Sequence, residues 1–284
     1  MDTKEGLAFA KVNLTLEIKE KREDGYHNLK SVMSHISLFD TVKLTRQEEP
    51  GVKFVSNAKY LTSDDTNLCV KAAHSYLNAT GLLEGVLIEL RKVIPTGSGM
   101  AGGSADGACT LKLMESLFGN LDKSEEKRIA ESLGADVPFC MTQGTSFCEG
   151  TGDILTPIET AKKPIYLVIA KNARKSSTGD AYARLDEKKP LFVGSHEKVI
   201  QALKMGSANA LVGNMGNSFE SVVFELTPQV SQLREKMLTL GALDARMTGA
   251  GPTVFGVFEN RKKAKLALDT LRESGVYSFL VNLM

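Results

Sequence analysis

Between Pro95 and Ala108 the chain reads Pro-Thr-Gly-Ser-Gly-Met-Ala-Gly-Gly-Ser-Ala-Asp-Gly-Ala, and no other stretch restricts the fold as strongly. A strand-like apolar run, Val86 to Val93, leads into it. A helical pattern with Ala108, Leu111, Met114, Leu117 and Phe118 on one side leads out. Glycine lets a backbone approach a ligand closely, and the first amides of a helix have no partner within it. A glycine-rich strand-to-helix connection therefore suits an anion, phosphate above all. The plain alternative is a flexible connector, although simple turns rarely gather so much glycine at a helix start.

Known phosphate loops narrow the choice. Gly97, Gly99 and Gly102 satisfy the G-x-G-x-x-G spacing of dinucleotide sites, but that pattern needs an acidic residue closing a second parallel strand about 20 positions later. Here that region is Gly119-Asn120-Leu121-Asp122-Lys123, a polar loop before another helix. A Walker A loop is excluded because no Lys-Ser or Lys-Thr follows the glycines. What remains is a phosphate-cradling loop without a lysine of its own.

Three further segments carry candidate chemistry. Ala8 to Leu16 alternates like a strand and contains Lys11 and Asn13; Lys21-Arg22-Glu23-Asp24-Gly25-Tyr26-His27 follows, with a hairpin signal at Asp24-Gly25. Lys11 is either a solvated residue on a strand face or a buried cation with a partner. In Leu133-Gly134-Ala135-Asp136-Val137-Pro138-Phe139-Cys140, Asp136 is either the cap of a short helix or a reactive carboxylate. Met247 to Gly256 is a glycine loop running into an apolar strand, and a tight hairpin explains it equally well.

Taken in order, these segments resemble the GHMP kinases, the family of galactokinase, homoserine kinase, mevalonate kinase and phosphomevalonate kinase. The resemblance runs from about Ala8 to Val281. The D-G-Y-H turn and G-A-D-V-P single out the branch that acts on a cytidylylated polyol. The resemblance implies an α+β protein with two lobes, an ATP-binding lobe over 1–160 and a second over 161–284, and an active site in the cleft between them. It implies an ATP-dependent kinase that phosphorylates the 2-hydroxyl of a cytidine-diphosphate-linked methylerythritol, in non-mevalonate isoprenoid precursor biosynthesis. Another GHMP small-molecule kinase, or a non-catalytic nucleotide-binding paralogue, is the alternative.

The same resemblance assigns residues. Asp136 is the base and Lys11 sits beside it, which is consistent with an ammonium favouring an ionised carboxylate. ATP is expected along Pro95, Gly97, Ser98, Gly99, Met100, Ala101, Gly102, Gly103 and Ser104, with Asn67 on the nucleotide side or simply capping a helix. The cofactor is Mg²⁺ carried with ATP, with Ser104 its one candidate hydroxyl; Asp106 is either a further ligand or a support for the first helical turn. Tyr26 and His27 match a cytidine-binding turn and Tyr182 a second aromatic wall, with Asn13, Thr178 and Gly249 completing the acceptor side. Ala105, Gly107 and the stretch Gly97 to Met100 depart from the family pattern. Gly107 is expected to weaken the helix start by up to about 1 kcal/mol relative to alanine.

Composition bounds the rest. With 284 residues and 42% hydrophobic content the chain buries a substantial core, and a net charge of +1 gives no global field for nucleic acid. Cys69, Cys109, Cys140 and Cys148 lack metal or redox spacing and read as reduced thiols of a cytoplasmic protein. The 4 histidines are scattered, so no zinc site is expected. The opening Met1-Asp2-Thr3-Lys4-Glu5 is not a signal peptide, and no run is long enough to span a membrane. Strands are expected at Leu7–Glu20, His27–Leu38, Thr41–Thr45, Val52–Ser56, Val86–Lys92, Ile165–Ala170, Pro252–Phe258 and Ser278–Leu283. Helices are expected at Asn67–Thr80, after the glycine loop, at Ser124–Leu133, from a Thr227 cap to Gly241, and over Asn260–Gly275. The strand at Ile165 is expected to start a second sheet, and Asp186-Glu187-Lys188-Lys189 to be a solvated loop.

Overall fold

In the computed structural model, which describes residues 2–174, 177–188 and 192–284, runs of strands and runs of helices are interspersed along the chain. In order they are β1 (Thr3–Lys21), β2 (His27–Gln47), β3 (Gly51–Ser56), α1 (Leu68–Thr80), β4 (Gly85–Arg91), α2 (Gly102–Phe118), α3 (Lys123–Leu133) and α4 (Val137–Cys140). Then come β5 (Thr145–Glu149), β6 (Ile154–Ile158), β7 (Tyr166–Lys171), α5 (Thr178–Lys188), α6 (His196–Met205), α7 (Ala208–Leu211) and β8 (Gly216–Asn217). The last are α8 (Glu220–Leu226), α9 (Pro228–Thr239), β9 (Asp244–Met247), β10 (Val254–Phe258), α10 (Arg261–Glu273) and β11 (Tyr277–Asn282). The chain forms two units: one comprises the residues up to Ala10, Leu38–Thr96 and Ala101–Gln143; the other comprises Lys11–Ser37, Gly97–Met100 and Gly144–Met284.

In the first unit, Val86, Ile88 and Leu90 of β4 are buried and alternate with less buried neighbours, the two-residue period of a strand with one covered face. β4 pairs antiparallel with β2, Thr41 opposite Arg91 and Gln47 opposite Gly85, and parallel with β3. Helices α1 and α2 pack closely enough to explain Gly107. A Cβ there would lie 3.0 Å from Leu68 Cβ and 3.2 Å from the Leu68 carbonyl oxygen. Beside the weakness expected of this glycine stands a packing reason for it, since an alanine in its place would press on Leu68.

One further expectation fails in this unit. Residues 27–38 and 41–45 are a single strand, β2, with Phe39 and Asp40 inside it. Asp40 looks like a break in sequence but is fully buried, and its carboxylate accepts the backbone amides of Val93 and Ile94 and the ammonium of Lys92. A buried carboxylate that is satisfied in this way does not interrupt a strand.

In the second unit, β11, β7, β10 and β9 form a four-stranded antiparallel sheet. Its central strand β7 buries Leu167, Val168, Ile169 and Ala170 in succession, as a strand covered on both faces must. Val168, Ala170, Val254 and Phe258 share a core with Val230, Leu233 and Met237 of α9 and Ala264, Leu268 and Leu271 of α10. Both helices were legible in sequence. Asn260 caps α10 by accepting from Lys263 N at 3.0 Å, whereas Thr227 holds the cap position of α9 without a side-chain bond. In the same unit Ser31 to Ser34 of β2 pair with β5, β5 pairs with β6, and Thr15 of β1 lies opposite Gly216 of β8. The run expected as a solvated loop is instead the end of α5 for Asp186, Glu187 and Lys188, with Lys188 paired to Glu225; Lys189 lies outside the described residues.

Candidate active site

In the first unit the glycine loop ends on Ala101, which adopts φ 56° as the residue preceding α2 and offers no side-chain cap. The first helical bond is Ala105 N to Ala101 O at 2.9 Å, so the helix supplies no acceptor for the amides of Gly102, Gly103 and Ser104. A Cβ on Gly103 would meet nothing within 4 Å, which leaves the backbone open to a ligand. This is the geometry of an anion site at a helix start. Pro95 belongs to the same unit, half-buried just ahead of the loop.

Sequence reasoning missed a lysine here. A Cβ on Gly102 would lie 3.2 Å from Lys92 Nζ, so this ammonium stands at the start of α2 although it precedes the glycines. Lys92 donates to Asp106 Oδ2 at 2.7 Å and to Asp40, with all three side chains buried. Burial opposes the charge on Lys92, but Asp106 and Asp40 outweigh it and raise its pKa. Asp106 is pushed up to about 8 by burial and by the negative charge of Asp40, against the pull of Lys92. Among the described residues Asp106 Oδ1 is buried without a hydrogen-bond partner. The signal was Lys92 itself, a charge inside the strand-like run Val86 to Val93.

The first unit also holds Asn67 and Asp136. Asn67 caps α1, accepting from Cys69 N at 3.0 Å and donating to Thr62 O at 2.9 Å. Asp136 occupies the residue before α4, yet its side chain makes no cap bond; the backbone bond from Val137 N runs to Gly134 O at 3.0 Å. Capping, the simpler of its two expected roles, is thus not what its carboxylate does. Helix α4 packs against α2, and Lys112 Nζ reaches Cys140 O at 3.5 Å.

In the second unit the rest of the glycine loop lies on the loop that joins β9 to β10. A Cβ on Gly99, at φ 75°, would fall 2.5 Å from Thr248 O, and one on Gly249 would fall 2.9 Å from Gly99 O. Gly97 also has positive φ, and Ser98 and Met100 are buried. Lys11 is the buried cation of its two sequence readings, 3% exposed. Its backbone amide donates to Met100 O at 3.1 Å and its Nζ to Asn13 Oδ1 at 2.7 Å. The same Asn13 oxygen accepts from Gly249 N at 3.0 Å and Thr248 Oγ1 at 3.3 Å, while its Nδ2 donates to Ser31 Oγ at 2.9 Å. Asn217 Nδ2 donates to Met247 O and Gly249 O, both at 2.8 Å. One polar network thus fixes Lys11 and the loop that carries Gly249.

The aromatic side of this unit is built around His27. The hairpin turn leaves Tyr26 64% exposed. His27 is buried, its ring stacked on Tyr182 with centroids 4.9 Å apart and planes 24° from parallel. Phe219 meets Tyr182 edge-on at 4.9 Å and 88°. His27 Nε2 lies 2.6 Å from Asp186 Oδ1, and Lys21 Nζ 3.0 Å from Asp186 Oδ2. Hydrogen bonds from Lys21 and His27 hold the Asp186 carboxyl below its ordinary range. The structure therefore brings His27 and Tyr182 together and adds Asp186. The side chain of Thr178 lies outside the described residues. None of the four cysteines is in a disulfide, no His, Cys, Asp and Glu cluster among the described residues could hold a metal, and no described helix is long and apolar enough to cross a membrane.

Comparison with known proteins follows the same lines. Residues 67–144 match the GHMP kinases N terminal domain and residues 197–276 the GHMP kinases C terminal model. A 4-diphosphocytidyl-2-C-methyl-D-erythritol kinase of Clostridium botulinum (strain Loch Maree / Type A3) is 38% identical over 94% of this chain and 95% of its own length. The protein of that name from Alkaliphilus oremlandii is 34% identical over 96% of this chain and 94% of its own. A crystal structure of 4-(cytidine 5'-diphospho)-2C-methyl-D-erythritol kinase superposes with a TM-score of 0.86 at 31% identity, covering 99% of both chains. Homoserine kinase from Cytophaga hutchinsonii shares the fold, with a TM-score of 0.73 at 17% identity over 99% of this chain and 95% of that one. With both family segments matched and relatives aligned over nearly all of its length, this chain belongs to the GHMP kinases.

Proposed function

We propose that the protein is an ATP-dependent kinase that phosphorylates the 2-hydroxyl of 4-diphosphocytidyl-2-C-methyl-D-erythritol, a cytoplasmic step of isoprenoid precursor synthesis. The observation that carries this reading is the near-complete likeness to kinases of that name, joined to a buried His27 that stacks on a partly buried Tyr182 and directly follows an exposed Tyr26 in sequence. A homoserine or mevalonate kinase has no base to recognise at such a turn. The proposed lobe boundary at residue 160 falls between the two family segments.

Phosphoryl transfer asks for positioning and charge stabilisation more than for covalent work by the protein. In this reading the open amides of Gly102, Gly103 and Ser104 bind ATP phosphate oxygens, with Asn67 and the Pro95 to Ala101 backbone shaping the nucleotide side. Asp136 accepts the proton of the acceptor hydroxyl, and Lys11, held by Asn13, stabilises the charge that develops on the attacking oxygen. Hard oxygen donors suit Mg²⁺, and the Ser104 hydroxyl and the unpartnered Asp106 Oδ1 are of that type. They would hold the ion, whose chemistry is to neutralise phosphate charge. Tyr26, His27 and Tyr182 take the cytidylyl group, with Asn13, Thr178 and Gly249 nearer the polyol.

A coupled ADP-release assay with ATP, Mg²⁺ and a panel of acceptors tests the reading. ADP release with the cytidylylated polyol and not with homoserine or mevalonate is the expected result. Turnover of one of the latter instead identifies another kinase of the family, and nucleotide binding without any turnover identifies a ligand sensor.

A further inference from the structure

We propose that Asp186 is a positioning residue that fixes the hydrogen bond His27 offers to a bound base, making the site selective for a pyrimidine with an exocyclic amine over one with a carbonyl at that position. The inference rests on the cytidylyl reading above and names what enforces it.

Asp186 lies on α5, four residues after Tyr182, so both side chains leave the same helix face. Its two oxygens are both engaged, Oδ1 with His27 Nε2 at 2.6 Å and Oδ2 with Lys21 Nζ at 3.0 Å. An ionised carboxylate only accepts, so Nε2 must carry the proton. A neutral imidazole has one N–H, and Nδ1 is then a lone pair. Among the described residues Nδ1 makes no hydrogen bond to protein. The ring is held by the Asp186 bond at one edge and by Tyr182 on one face, with Phe219 behind Tyr182. With the ring neutral, the state this proposal assigns to His27, the site presents a fixed acceptor. Cytosine carries an amine at C4 and meets that acceptor with an N–H; uracil carries a carbonyl at C4 and meets it with another lone pair. A polar group left facing a like partner is what gives a site strong discrimination.

Two measurements decide the matter. The first is initial-rate kinetics on the wild type, Asp186→Leu and Asp186→Glu, each with ATP and either the cytidylylated polyol or its uridylyl counterpart. Without Asp186 the imidazole proton is free to sit on either nitrogen. The preference for the cytidylyl acceptor should then shrink about 10-fold, through the acceptor KM, while kcat and the KM for ATP hold. Asp186→Glu should restore most of the preference. An unchanged preference in Asp186→Leu overturns the proposal, as does an equal rise in both KM values. The second measurement is independent of activity and of any substitution at Asp186. ¹⁵N NMR of the imidazoles in the wild-type protein, with His27 identified by the signal lost in His27→Gln, should show the proton on Nε2. A proton on Nδ1 overturns the proposal. Should the wild type turn over neither acceptor, the kinase reading fails and takes the selectivity with it, while the tautomer result still decides whether Asp186 orients His27.

Discussion

His27 and His196 lie in the same unit in closely matched surroundings, and one atom separates them. Each sets Nε2 against a carboxylate, Asp186 at 2.6 Å and Glu17 at 3.1 Å. Each ring stacks on an aromatic partner, Tyr182 at 4.9 Å and Phe192 at 5.0 Å. But Nδ1 of His196 is bonded to Thr15 Oγ1 at 2.8 Å, and Thr15 Oγ1 also accepts Val32 N at 2.9 Å. His196 is fully satisfied by protein and ties α6 to β1 and β2. His27 keeps one ring nitrogen for something else. Sequence singles out His27 by its motif and leaves His196 among the scattered histidines; in the structure the second ring nitrogen is what separates them.

The comparison is open to attack at several points. The reference is the loss of chemistry itself: Asp136→Asn should lower kcat by about 10²- to 10⁴-fold, with the KM for both substrates near wild type. No histidine variant should approach this, and near-normal turnover would remove Asp136 from the mechanism. His27→Ala should come next, raising the KM for the cytidylyl acceptor by about 10- to 100-fold, the scale of one or two lost hydrogen bonds in a buried site, with the KM for ATP unchanged. Equal effects on both substrates would break the contrast. His196→Ala should act on the fold instead. Stability should fall by about 1–3 kcal/mol, and Tm by about 2–4 °C for each of those, because Thr15 and Glu17 lose a partner. A changed acceptor KM in that variant would place His196 in the binding site after all.

The smallest effect is a pH dependence. Burial alone would raise the Glu17 pKa, but the bonds from Lys19 and His196 outweigh it and bring it below its ordinary 4.5. A depressed carboxylate contributes stability that is complete above the unfolded value and disappears as pH falls through the folded one. Urea unfolding of wild type and Glu17→Gln should therefore differ by a constant amount above pH 4.5 and converge in more acidic solution. A gap that persists at low pH would show that Glu17 acts through packing rather than charge.

These contrasts also mark where sequence is legible. Long periodic elements were readable, among them β4, α1, α9 and α10, because burial of one face imposes its period on the residues. The two-residue β8 and the four-residue α7 carry too few residues for any period. The expected strands stopped at Leu38 and resumed at Thr41 because the partners of Asp40 at Lys92, Val93 and Ile94 are remote in sequence. In the site, the motif residues were legible in sequence, but what holds them was not. Asp186 sits in an Asp-Glu-Lys-Lys run that imitates solvated charge, and only its spacing from Tyr182 hinted at a shared helix face. Gly107 looked like a defect because helix propensity sees the backbone and not the neighbouring helix.

The contact between Gly99 and Gly249 has a consequence for any attempt to redesign this protein. Their backbones touch with no side chain between them, and even a methyl group on Gly99 would sit 2.5 Å from a carbonyl oxygen. Neither segment has slack to give the other. A substitution tolerated in one must be matched by a shift of the opposite strand of atoms, and that shift would travel through Asn13 to the Lys11 ammonium. The two loops must therefore be altered together or left alone.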